Sequence, residues 1–179
     1  MVGSQDSLLE EAKAKSVVNK QNYVDVSVVI PYLDESESLP ELYQQITQSL
    51  SSTNWSYELI FVDDGSQDSG WDIINSFRKT DDRVSGIKFT RNFGKSQALH
   101  AGFERSQGEV VFTMDADLQD NPKELEALYN KLKSENLDLV SGWKKVRHDP
   151  LFAKTIPSRF SIGLHAFFQE SLYMILTVA

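Results

Sequence analysis

The chain contains no cysteine, which excludes disulfides, thiol nucleophiles and cysteine zinc sites and agrees with a reducing compartment. The cytoplasm is the expected location. Positive charge is scarce as well: 18 Lys and Arg stand against 26 Asp and Glu, a formal net charge of -8. No general basic surface is therefore expected to hold nucleic acid by its phosphates. An anionic ligand would need a metal ion or a local basic patch. Long apolar runs are also missing. Nothing approaches the roughly 18 to 20 uninterrupted apolar residues of a membrane span, because the apolar end of the chain is broken by His165, Gln169 and Glu170. Residues 1–22 lack the apolar core of a secretory signal, so residues 1–24 read as a polar lead-in and the chain as soluble.

What is present suits one ordinary domain. The 179 residues are 40% hydrophobic and 11% aromatic, enough for a real core. From residue 26 onward, short β-branched runs alternate with longer amphipathic segments, the pattern of βαβ units on a parallel sheet. The runs are VSVVI (26–30), YELIFV (57–62), VSGIKF (84–89), EVVFTM (109–114) and LDLVS (137–141). Leu39, Leu42, Tyr43, Ile46 and Leu50 recur at helical spacing, with Ser38 and Glu41 placed as a capping box. Leu125, Leu128, Tyr129 and Leu132 repeat that pattern behind Asn121 as N-cap and Pro122 at the first helical position. Two less regular helices are expected near 69–79 and 95–106.

An unusual polar cluster follows each run: PYLDE (31–35), DDGS (63–66), TRNFGK (90–95), DADLQD (115–120) and GWKK (142–145). In a doubly wound sheet the carboxyl ends of the strands share one edge, where ligands bind. Asp115 and Asp117, two apart after a strand, would in extended geometry aim both carboxylates at one hard cation such as Mg²⁺ or Mn²⁺ shared with ligand phosphates. Helix capping ahead of Pro122 is the rival use of these acids. A calcium loop is excluded, because Asp120 stands where that loop needs glycine and Pro122 follows it. Asp63 and Asp64, ahead of Gly65, can accept hydrogen bonds from a base or ribose, although turn formation alone also favours Asp, Gly and Ser. Arg91 and Lys95 flank a helix start, either as an anion site or as a solvated basic loop. No GxGxxG or GxxxxGK[ST] occurs, which removes the main support for dinucleotide-oxidoreductase and P-loop readings.

Taken together, "SVVIPYLDESESLPELY", "YELIFVDDGSQD", "TRNFGKSQALHAGFERSQGEVVFTMDADLQDNP" and "DLVSGWKKVRHDP" resemble the inverting nucleotide-sugar glycosyltransferases with the GT-A fold, glycosyltransferase family two. Within it they resemble the dolichyl-phosphate mannose synthase and polyprenyl-phosphate branch. The resemblance covers residues 26 to about 160. It implies an α/β, Rossmann-like, mostly parallel sheet with helices on both faces. It also implies a GDP- or UDP-sugar donor, Mg²⁺ or Mn²⁺, and a lipid-phosphate acceptor at the cytoplasmic face of the membrane; it leaves an oligomer open and gives no role to nucleic acid. Residue by residue, Asp115 and Asp117 become the DXD pair, catalytic through the metal, with Gln119 a further metal or phosphate contact. Pro31, Leu33, Glu35, Val62, Asp63 and Asp64 would surround base and ribose. Arg91, Lys95, Met114 and Ala116 would lie along the sugar nucleotide with the DXD pair. Lys144, Lys145 and Arg147 would face the acceptor phosphate. One departure is plain: the motif's tyrosine-asparagine-glutamate is here Leu33, Asp34, Glu35.

Beyond residue 160 the resemblance ends, whereas relatives continue through the acceptor half of the domain. Read one nucleotide out of frame with permitted codons, the tail 161–179 gives text like that of relatives, which points to a frame shift near Phe160. The expected organisation is a lead-in (1–24), a nucleotide-sugar-binding domain (25–160) and a foreign tail (161–179). The expected activity is metal-assisted transfer of a sugar to a polyprenyl or dolichyl phosphate, with loss of activity by truncation left open. The alternatives are a non-catalytic nucleotide-binding or oligomerising fragment, or a relative that transfers glucose or an amino-arabinose.

Overall fold

The computed structural model describes residues 23–142 and the strand 174–177. Lys144, Lys145, Arg147, the lead-in up to residue 22 and the rest of the tail lie outside the described residues. In chain order the elements are β1 (Val24–Tyr32), α1 (Leu39–Ser51), β2 (Tyr57–Asp63), α2 (Gly70–Arg78), β3 (Val84–Lys88), α3 (Lys95–Arg105) and β4 (Gly108–Thr113). A 3-10 turn (Pro122–Glu124) then leads into α4 (Leu125–Ser134), β5 (Leu139–Ser141) and β6 (Met174–Thr177).

The sheet order is β3-β2-β1-β4-β6-β5. β1 pairs in parallel with β2 and β4, and β2 with β3. β6 runs antiparallel between β4 and β5. It lies in the segment that the sequence sets apart as a tail. A four-residue strand whose partners stand more than 30 residues away carries no local signal of its pairing.

Strand alternation divides the core into two layers. Val26, Val28, Ile30, Leu59, Phe61, Val110 and Phe112 face one side. There they meet Leu39, Leu42, Ile46 and Leu50 of α1, Ile74 of α2 and Leu125 and Leu132 of α4. Val29, Ile60, Val62 and Val111 face the other side and meet Ala98 of α3, with Leu99 and Phe103 at its margin. Helices therefore cover both faces, as expected for a sheet whose central strands are apolar on both sides.

Two helix starts differ in how their caps work. Asn121 accepts a hydrogen bond from the Lys123 amide at 3.2 Å, so the expected N-cap forms. The expected capping box does not: Ser38 makes no side-chain cap bond to α1. Its hydroxyl instead donates to the Glu35 carbonyl and to Glu35 Oε2, both at 3.0 Å. Ser38 already has helical angles (φ -86, ψ -30), which turns the hydroxyl back toward the preceding turn. Pro40 also removes one of the orphan amides that a cap would serve.

α3 sits close to the sheet because Gly102 lets it. A Cβ at Gly102 would fall 2.2 Å from Val29 Cγ1, so any side chain there must push the helix off β1 or distort Val29. We expect Gly102→Ala to destabilise the fold by about 1–3 kcal/mol through overpacking. Val29→Ala in the same chain should restore part of that loss, read as a non-additive double-mutant cycle in denaturant midpoints. Additive effects of the two changes would contradict this contact.

Candidate functional site

The strand order reverses between β1 and β4, since the chain runs outward from β1 to β3 and then returns to the other side of β1. Loops leaving neighbouring strands there diverge and open a crevice at the carboxyl ends. A cavity of about 320 Å³ occupies it, lined by Pro31, Tyr32, Leu33, Glu35, Asp64, Asn92, Gly94, Lys95, Asp115, Ala116 and Asp117. A second depression of about 490 Å³ lies away from the strand ends, between α1 and the 3-10 turn, and is lined by Gln45, Gln48, Ser49, Ser52, Asn121, Pro122 and Lys123. No carboxylate lines it, whereas four line the strand-end cavity.

Its walls are braced by aspartates. After β1, Asp34 takes a left-handed conformation (φ 55), which Asn and Asp tolerate better than other side chains. Its carboxylate accepts from the Gln67 amide at 2.8 Å, while its own amide donates to Ser66 Oγ at 3.0 Å. An acidic residue thus fits where the resembled motif carries asparagine. Asp68 accepts from the Ser36 amide at 2.7 Å and the Gly70 amide at 2.9 Å. Burial raises the Asp68 pKa, but these two amides, joined by the Ser36 hydroxyl and the Asp68 backbone, outweigh it and hold the carboxyl below its ordinary value.

Asp63 is fully buried. It accepts from the Ser66 amide at 2.7 Å, and Lys88 Nζ stands 3.8 Å from its other oxygen. Burial first, and then the Asp63 and Asp68 charges, raise the Tyr32 hydroxyl far above its ordinary pKa. Asp64 lines the cavity but is already engaged, accepting from the Phe93 amide at 2.8 Å and the Gly94 amide at 3.0 Å. That grip fixes the 91–94 loop. Gly65 lets the loop pass: with φ 87, its Cβ would lie 2.3 Å from the Arg91 carbonyl carbon.

β4 ends at Thr113, before the acidic pair, so Asp115 and Asp117 sit in a bend and not on an extended strand. Their convergence on one cavity comes from that bend. The Asp115 amide donates to Asp120 Oδ2 at 3.0 Å, the Gln119 amide donates to Asp117 Oδ1 at 3.0 Å, and Leu118 takes φ 60. Lys95, the first residue of α3, places its ammonium 2.5 Å from Asp115 Oδ1.

Of the residues expected at the site, Pro31, Leu33, Glu35, Asp64, Lys95, Asp115, Ala116 and Asp117 meet in the cavity. Val62, Asp63 and Met114 are buried behind it. The Arg91 guanidinium lies 4.7 Å over the Phe93 ring, and Gln119 is exposed on the acidic bend. Sequence reasoning missed Tyr32, Asn92 and Gly94, which line the cavity. All three fall inside clusters already singled out, where attention went to the charged members.

The donor set suits a hard divalent cation. Asp115 and Asp117 are two of the four carboxylates that line the cavity, and the ammonium at Asp115 marks an oxygen placed to receive positive charge. Among the described residues no three His, Cys, Asp or Glu side chains group as a metal cage. The remaining positions would fall to water or ligand phosphate, which is the usual mode for Mg²⁺.

Known proteins resemble this chain in sequence and in fold. The family model for Glycosyl transferase family 2 matches residues 27–177. The dodecaprenyl-phosphate galacturonate synthase of Rhizobium johnstonii is 36% identical over 139 residues, covering 75% of this chain and 40% of the relative. The undecaprenyl-phosphate 4-deoxy-4-formamido-L-arabinose transferase of Salmonella choleraesuis is 38% identical over 131 residues, covering 73% of this chain and 40% of the relative. The chain thus spans about 40% of the length of these curated relatives. Among solved structures, the mannosyltransferase PcManGT from Pyrobaculum calidifontis, in complex with GDP-Man and Mn²⁺, superposes with a TM-score of 0.58. That match has 23% identity and covers 77% of this chain and 43% of that one, a likeness of fold.

Two measurements test the bracing. Asp64→Ala should accelerate hydrogen exchange of the Phe93 and Gly94 amides by about tenfold or more while leaving the β1 and β2 amides unchanged. Unchanged exchange at both amides would remove Asp64 as the anchor. Asp68 has a folded pKa below its unfolded one, so its stabilisation is complete above the ordinary value of 3.8 and is lost as pH falls through the lower folded value. Asp68→Ala should therefore lower stability at neutral pH and flatten its decline on acidification, followed by urea midpoints between pH 7 and 3.

Proposed function

The chain belongs to Glycosyl transferase family 2, and from that premise we propose that it forms the donor-binding part of a polyprenyl-phosphate sugar transferase. The reaction would be a metal-assisted transfer from a GDP- or UDP-sugar to a lipid phosphate. The observation that carries this reading is the convergence of Asp115, Asp117 and Lys95 on one cavity at the strand switch point. A nucleoside diphosphate matches that polarity: its diphosphate needs cations, and its base and ribose can lie along Pro31, Leu33, Glu35 and Asp64 at the other end of the cavity. Asp115 and Asp117 would hold Mg²⁺ or Mn²⁺, with Gln119 of the same bend beside them. Bound there, such an ion acts as a Lewis acid that stabilises the charge developing on the diphosphate.

The residues of the chain then have separate tasks. Asp64 keeps the Phe93–Gly94 backbone at the cavity wall, and Lys95 brings a cation to the diphosphate end. An acceptor phosphate is already anionic at neutral pH, so displacement at the anomeric carbon needs no strong general base. We assign the approach of that acceptor to Lys144, Lys145 and Arg147, outside the described residues. Among the described residues no helix is long and apolar enough to cross a membrane, and a lipid acceptor would place the work at the cytoplasmic membrane surface. The two named relatives differ in their sugars, galacturonate in one and formamido-arabinose in the other, which supports a polyprenyl-phosphate acceptor more firmly than any one sugar. A donor-binding fragment without transfer is the second reading, since the cavity gathers the residues assigned to the donor.

The test is a titration of GDP, UDP and their sugars with and without Mn²⁺, repeated with Asp117→Ala. Metal-dependent binding should weaken by about tenfold or more in the variant. Absence of binding to every nucleotide would refute the donor site. Transfer to a polyprenyl phosphate, assayed on the same panel, separates the transferase from the fragment.

A further inference from the structure

Within the strand-end cavity the charges are unequal. Glu35, Asp64, Asp115 and Asp117 supply four carboxylates, and Lys95 is the sole basic residue of the lining among the described residues. Two of the acids are occupied locally: Asp64 by the Phe93 and Gly94 amides, and Glu35 by the Ser38 hydroxyl. Asp117 gives one oxygen to the Gln119 amide. Asp115 meets Lys95 at 2.5 Å, the side chains being 24% and 51% exposed respectively. The pair is thus formed before any ligand arrives, on the carboxylate that the proposed function assigns to the metal.

A lysine ammonium and a divalent ion cannot share one carboxylate oxygen without strong like-charge repulsion. A metal that takes Asp115 Oδ1 therefore displaces Lys95 from that oxygen. With half its surface in water, the lysine is free to swing off Asp115, and a diphosphate in the cavity would offer it another anionic partner. We infer that Lys95 is the resident counter-cation of Asp115 and couples the two ligands: it opposes a divalent ion binding alone and moves onto the diphosphate when both enter. This inference rests on the donor-site reading above and adds to it an order. Metal binding is weak without nucleotide and is strengthened by it, and by linkage nucleotide binding is strengthened by metal to the same degree. Its use is plain: the site would not hold a divalent ion idle between donors.

The experiment compares the full chain with Lys95→Met, which keeps the apolar stem and removes the charge, and with Lys95→Arg, which keeps a cation. Mn²⁺ binding is followed by loss of the free-ion electron paramagnetic resonance signal, first alone and then with UDP or GDP. An exposed ion pair weighs at most about fivefold in affinity, and repulsion between the ammonium and the incoming metal adds to that. Lys95→Met should therefore bind Mn²⁺ alone about fivefold or more tightly than the parent, Lys95→Arg should stay close to the parent, and the nucleotide-induced gain in Mn²⁺ affinity should shrink in Lys95→Met. Equal or weaker Mn²⁺ binding by Lys95→Met, including none, overturns the inference. So does an undiminished nucleotide-induced gain. Should none of the proteins take up a nucleoside diphosphate with Mn²⁺ present, the donor-site reading falls, while the metal-only comparison still decides the role of Lys95.

Discussion

The crevice depends on a topological constraint, the reversal of strand order at β1. Parallel strands need crossover helices, and those helices pass over one face while the chain moves outward and over the other once it returns. α1 and α2 accordingly pack with one core layer and α3 with the other. The loops after β1 and β4 are thereby drawn apart, and the space between them cannot close without changing the order of the sheet. Every residue lining the candidate site lies at the carboxyl end of a strand, on the loop after it or at a helix start that this reversal positions.

Carboxylates then serve two distinct purposes within a few ångströms. Asp34, Asp64 and Asp68 accept from backbone amides of neighbouring loops and Asp63 from the Ser66 amide of its own turn, replacing the hydrogen bonds that irregular backbone cannot find in a sheet or helix. Asp115 and Asp117 keep oxygens directed to the cavity. The distinction is one of available donors: the loops after β1 and β2 run side by side and present amides, whereas the bend after β4 turns its own amides inward to Asp117 and Asp120. Among the described residues that line this acidic cavity, Lys95 is the one base, and it stands against Asp115.

Most of the architecture was legible from local pattern. Runs of β-branched residues alternating with amphipathic helices announced a parallel α/β sheet, and its strands and helices lie where the periodicity puts them. β6 was not legible, because its place between β4 and β5 rests on pairing with distant residues. The capping box at Ser38 was misread, because the spacing of Ser and Glu carries no information on the backbone angles that turned the hydroxyl away. At the site, the acidic pair was found from its position after a strand, but the geometry invoked for it was wrong in detail: β4 stops at Thr113, and a bend does the work assigned to an extended strand.

By itself the sequence determined the class of fold, the family and the set of polar clusters at the strand ends, since these follow from hydrophobic period and residue type along a continuous stretch. Tertiary structure alone decided which aspartates brace and which face the cavity, for Asp63 and Asp64 are adjacent and chemically identical, yet one is buried against Ser66 and Lys88 while the other grips the loop before α3. It also decided that Lys95 meets Asp115 across 20 positions of chain. Side-chain chemistry is local, but the partner that directs it is chosen by how the crossovers bring separate loops to one edge.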